Sequence, residues 1–78
     1  MKLFKITYVK HGNVCDYHKE DTVQAVSSKM ALKKWFNYRD PFDPQKRNRQ
    51  WWIDYDREVN GITYSDFNVV EVKEPTSI

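Results

Sequence analysis

Seventy-eight residues with 13 Lys/Arg, 11 Asp/Glu, one cysteine, three Trp, five Tyr and four Phe allow one domain whose core supplies only about 3–5 kcal/mol, so the aromatics must carry the packing. The lone Cys15 excludes an internal disulfide and favours a reducing compartment. Apolar runs stop at three residues, as at Trp51, Trp52 and Ile53; this excludes a membrane span of about 20 residues or a secretory leader core of about 7, and predicts a cytoplasmic protein.

From the N-terminus, Phe4, Ile6 and Tyr8 alternate with Lys5 and Thr7, the period-two pattern of a half-buried strand over residues 3–10. His11, Gly12 and Asn13 turn the chain into a second strand over 14–26, bent near Glu20 and Asp21, with Val23 and Ala25 facing the core. Ser27 stands at a helix N-cap, and Val26 and Ala31 are spaced for a hydrophobic staple. The helix should run to Arg39. At about 100° per residue it gathers Tyr38, Ala31, Trp35, Leu32 and Phe36 on one side and Lys29, Lys33, Asn37, Met30 and Lys34 on the other.

Pro41 and Pro44 stop the helix and make residues 40–50 a loop. Residues 51–58 alternate again, Asn60-Gly61 signals a hairpin into Ile62–Tyr64, and Ser65 and Asp66 turn or bulge the chain. A last strand over 67–73 precedes Pro75 and a frayed tail, 75–78. The expectation is one α+β domain, residues 1–78: an antiparallel sheet of about four strands with one helix on one face, in β-β-α-β-β order.

Charge is distributed unevenly, with 11 Lys/Arg against 5 Asp/Glu in residues 1–50 and 2 against 6 in residues 51–78. Arg39, Lys46, Arg47 and Arg49 gather around the loop just before Trp51 and Trp52, a combination that can follow phosphates or anchor an interface. The alternation turns Trp51, Ile53 and Tyr55 inward. It leaves Trp52 outward in a row with Asp54, Asp56 and Glu58, the composition of an interface hot spot; the competing expectation buries Trp52 under Phe42.

Those three carboxylates at i, i+2 and i+4 could instead hold Mg²⁺ in a nuclease, although an exposed sheet face ordinarily carries such residues. His11, Cys15 and His18 have a metal-like spacing, yet Cys15 and His18 point to opposite faces of a strand and a fourth ligand of that type is missing. Ser/His/Asp and Cys/His nucleophile systems have no legible spacing. No enzyme activity, metal or cofactor is implied.

The succession Val23, Ala25, Ser27 and Ala31, a strand end capped into a helix after a hairpin, resembles small phage and prophage accessory proteins of ββαββ layout, some of them anti-CRISPR proteins. The resemblance covers residues 3–38 and 62–73. It implies a non-enzymatic inhibitor that acts in the host cytoplasm by occupying a surface of a host defence or nucleic-acid-processing complex. Read from the residues, the partner-binding set is Trp52, Arg47, Arg49 and Lys46, with Asp54, Asp56 and Glu58 as an acidic second row. The alternative is a nucleic-acid-binding module using Lys29, Lys33, Lys34, Arg39 and the basic loop. Exposed outer strands could also pair two copies into a homodimer.

Overall fold

Phe4 and Ile6 seed the central strand, β1 (Lys2–His11), of a three-stranded antiparallel sheet. The computed structural model describes residues 1–73, and the expected tail at 75–78 lies outside the described residues. A turn closed by the Gly12 N–H on the Cys15 carbonyl, at 3.1 Å, returns the chain into β2 (Asp16–Ala25). Two helices follow, α1 (Ser28–Asn37) and α2 (Arg49–Tyr55), the second continuing into a π-helical turn at Asp56–Asn60. Strand β3 (Thr63–Glu71) then pairs with the free side of β1, giving the order β2-β1-β3. The fold is α+β, but its three strands and two helices correct the four-stranded β-β-α-β-β layout with a single helix.

Two local choices make the difference. Residues 51–58 are helical, not extended, because Asn48 caps them: its Oδ1 accepts the Trp51 N–H at 2.9 Å. Polar pairs at helical spacing follow, with Gln50 and Arg57 donating to Asp54 and Asn60 to Asp56 at 3.1–3.2 Å. Gly61, at φ +67°, is the left-handed residue that ends the helix, and its N–H and that of Ile62 both reach the Asp56 carbonyl. Asn60-Gly61 is thus a helix terminus, not a hairpin.

The second choice concerns Ser65 and Asp66, which do not divide two strands. They lie in one strand with a bulge, where the register slips between Thr7 and Val9 and Asp66 takes φ +58°. The extra residue changes which parity faces the helices, from Val69 and Phe67 to Tyr64, so both Phe67 and Tyr64 reach the Tyr8 ring.

Helix α1 lies across that sheet face. Ser27 caps it as expected, its Oγ accepting the Met30 N–H at 3.3 Å, whereas Val26 is exposed and does not staple. Phe4, Ala25 and Ala31 form a sealed cluster edged by Val23 and Val69, beside buried Ile6 and Trp35. Around Trp35 the rings of Tyr8, Phe36 and Phe67 stand at 4.8, 5.0 and 5.4 Å. Its indole N–H donates to Asp21 at 2.8 Å, and the same carboxylate accepts the Tyr8 hydroxyl at 3.2 Å. Tyr38 departs from the expected buried face: it follows the last turn of α1 and is exposed.

The short helix α2 depends on its cap more than α1 does, since α2 buries no residue fully. Asn48→Ala should therefore cost about 1 kcal/mol, read as a lower midpoint in thermal or urea unfolding. An unchanged midpoint would mean that packing alone holds α2.

Candidate functional site

Winding residues 49–55 into a helix brings Trp51, Trp52 and Tyr55 together instead of sorting them onto two faces. All three stay open to solvent, at 41%, 37% and 39% exposure, which corrects the inward placement of Trp51 and Tyr55. Their rings pack on one another at 4.9–5.8 Å. Phe42, the expected cover for Trp52, points away at 91% exposure.

Arg47 braces this cluster into a knob. Its guanidinium centre lies 4.6 Å from the ring centres of both Trp51 and Trp52. Its N–H fork grips Asp43, Nε to Oδ2 at 3.0 Å and Nη2 to Oδ1 at 3.2 Å. Asp43, only 7% exposed, also accepts the backbone N–H groups of Gln45 and Arg47 at 3.0 and 3.1 Å. Arg47 foremost, with those N–H groups, holds its carboxyl at about 2, well below the usual range. The rest of the loop is pinned likewise: Arg39 donates to the Lys46 carbonyl at 2.9 Å, Lys46 Nζ to the Pro41 carbonyl, and Arg49 N–H to the Tyr38 carbonyl at 2.8 Å.

Beside the knob are two adjoining recesses. One, of about 270 Å³, is lined by Tyr38, Asp40, Arg47, Arg49 and Trp52. The other, of about 410 Å³, shares Tyr38 and Arg49 and runs over Trp35, Lys34 and Asp21 toward β2. The structure thus unites Trp52, Arg47 and Arg49, while Lys46, exposed and outside both recesses, is bonded within the loop. It disperses the acidic row, since a helix cannot hold i, i+2 and i+4 on one face. Asp54 binds Gln50 and Arg57, and Asp56 accepts Asn60 and the Tyr64 hydroxyl, the latter at 2.9 Å. Burial first, and that carboxylate second, push the Tyr64 phenol far up.

Of the alternative basic set, Lys29 and Lys33 face solvent, whereas Lys34 donates to the Gln24 carbonyl at 2.9 Å and Arg39 is spent on the loop. Asp43, Trp51, Tyr55 and Tyr38 are site residues that sequence reasoning missed. For Asp43 a signal exists, namely an acid four residues before Arg47.

On the far side of the sheet, the hydrogen-bond chain of a nucleophile triad appears without warning from the sequence. His11 Nδ1 contacts Asp16 Oδ1 at 3.0 Å and His11 Nε2 contacts Ser65 Oγ at 2.6 Å. Asp16 is the residue opposite His11 in β2, and Ser65 is its neighbour but one in β3, so strand register alone creates the row. It lies open on the sheet face, its Asp16 side chain 58% exposed. We read it as a cross-strand clasp because a working triad needs donors aimed at a developing oxyanion. Hydrolysis of p-nitrophenyl acetate should be the same for the wild type and Ser65→Ala; a Ser65-dependent burst would refute the clasp. His11 is committed here, and no three His, Cys, Asp or Glu side chains among the described residues are grouped to hold a metal ion.

No helix among the described residues is long and apolar enough to cross a membrane. Compared with protein-family models, curated proteins and solved structures, the chain shows no significant match.

Proposed function

We propose that the chain is a non-enzymatic binding protein that docks on a protein partner through the knob of Trp51, Trp52, Tyr55 and Arg47 and the recess beside it. The observation that carries this reading is the fixing of Arg47 between Asp43 and two exposed indoles. Interface hot spots are enriched in Trp, Tyr and Arg, and side chains that are already ordered lose little entropy on binding. In its narrower form the protein is a phage-encoded inhibitor occupying a surface of a host defence or nucleic-acid-processing complex in the host cytoplasm, a reading that keeps only the hairpin, cap and helix of residues 3–38 from the resemblance, since the ββαββ layout is not the one found.

Direct nucleic-acid binding is the second reading, favoured by Arg groups lying on aromatic rings. It is the weaker one because Lys34 and Arg39 are used internally and Arg47 is neutralised by Asp43. A homodimer formed through β2 is weaker still. No observation favours it: two-fold pairing centred on Glu20 sets that residue against its own copy while bringing Lys19 opposite Asp21, so the charges do not select such a pairing. The nuclease reading loses its basis with the acidic row.

The test is affinity purification from the native host with the wild type and with Trp52→Ala/Arg47→Glu, followed by gel shifts on DNA and RNA. The reading expects a specific protein that the double variant does not retain. A gel shift that weakens about 10³-fold between 50 and 200 mM salt would replace it with the nucleic-acid reading.

A further inference from the structure

Arg49 stands where the two recesses meet. Its half-buried guanidinium lies against two rings, 4.4 Å from the centre of Trp35 and 4.8 Å from that of Tyr38, and Nη1 donates to the Trp35 carbonyl at 3.3 Å. The ion pairs among the described residues join Lys2 to Glu71, Lys5 to Glu20, His11 to Asp16, Arg47 to Asp43 and Arg57 to Asp54, and none includes Arg49. Neither acid lining the recesses, Asp21 or Asp40, forms an ion pair with Arg49, and each keeps its charge because the donors it accepts from are neutral. Asp21 accepts from Trp35 and Tyr8, and Asp40 accepts the Phe42 N–H at 2.9 Å.

A guanidinium drawn partly out of water is ordinarily paired with an anion. With rings against it, Arg49 offers its N–H edge, and that fork fits a planar carboxylate. We propose that Arg49 receives an Asp or Glu side chain of the protein partner, while a neighbouring apolar side chain of the same segment lies against Trp52 and Tyr38. This rests on the protein-binding reading above. A carboxylate suits the site better than a phosphate chain because the other cations lining the recesses are engaged, Arg47 by Asp43 and Lys34 by the Gln24 carbonyl, whereas a nucleic-acid strand brings a charge with every residue.

The test titrates the ¹⁵N-labelled protein with acetyl-Leu-Glu-Phe-amide, with acetyl-Leu-Gln-Phe-amide and with a thymidine oligonucleotide, following the Arg49 Nε–H and Trp52 indole resonances. The acidic peptide should shift both and bind about tenfold or more tighter than its amide twin, the scale of one charge-assisted hydrogen bond. Arg49→Gln should erase that difference, and Arg49→Lys should retain part of it; the dispersed amide spectrum reports folding of each. If Arg49→Gln does not fold, the wild-type comparison of the two peptides decides. Equal binding of both peptides at Trp52 overturns the carboxylate inference and leaves the surface standing. No response of Trp52 to either peptide removes the surface and the inference together, and a stronger shift of Arg49 by the oligonucleotide overturns the choice of a protein partner.

Discussion

Trp35→Ala should unfold this domain. The residue is 2% exposed, joins the rings of Tyr8, Phe36 and Phe67, and ties α1 to β2 through its bond to Asp21. Truncating a buried Trp costs about 3–5 kcal/mol, comparable to everything that a core of this size supplies. The loss also leaves Asp21 with the Tyr8 hydroxyl alone and uncovers the recess under Arg49. Far-UV circular dichroism should show no cooperative transition at 25 °C, while Trp35→Phe, which retains a ring and loses only the indole N–H, should still melt cooperatively at a lower midpoint. A Trp35→Ala variant with a near-native urea midpoint would show that the aromatic hub is dispensable.

The first half of the chain was legible because its signals agree. Alternation in β1, turn residues at Gly12 and Asn13, and the Ser27 cap before an amphipathic run all specify the elements that formed. Residues 51–61 carry two readings. Trp51, Ile53 and Tyr55 alternate with acids as a strand would, yet Trp52 breaks that row, and Asn48, Gln50, Asp54 and Arg57 hold capping, i, i+4 and i, i+3 positions. The helix prevails because the Asn48 cap and the polar pairs on its surface act together. Gly61 is equally ambiguous, as a left-handed residue serves a hairpin turn and a helix terminus alike.

The site was legible in composition and not in geometry. Arg47, Arg49 and Trp52 do converge, but on a helix-and-loop corner instead of a strand face. What gathers them is the local folding of the loop on Asp43, whose carboxylate takes the N–H groups two and four residues ahead, a turn that the Pro-rich loop permits without specifying. The His11–Ser65 contact spans 54 positions and exists only through the order of the strands, so local spacing could not have revealed it.

Trp52→Ala should weaken partner binding by about thirtyfold or more, the cost of a central hot-spot residue, and Arg47→Ala should approach the same loss. Asp43 touches the partner nowhere in this proposal, so Asp43→Asn should cost less, and the double variant Asp43→Asn/Arg47→Ala should bind no worse than Arg47→Ala alone. That pattern marks Asp43 as a positioning residue. Its titration provides an independent check: Arg47 depresses the folded carboxyl to about 2 from an ordinary 3.8. A depressed value favours the ionised folded state, so the loop's contribution is complete above about pH 5 and is lost progressively as pH falls through the folded value near 2. The Trp52 indole resonance should shift across that window in the wild type, and Asp43→Asn should lack the step. Unchanged affinity in Trp52→Ala, measured against the captured partner, would exclude the knob as the docking surface whatever the acid titration shows.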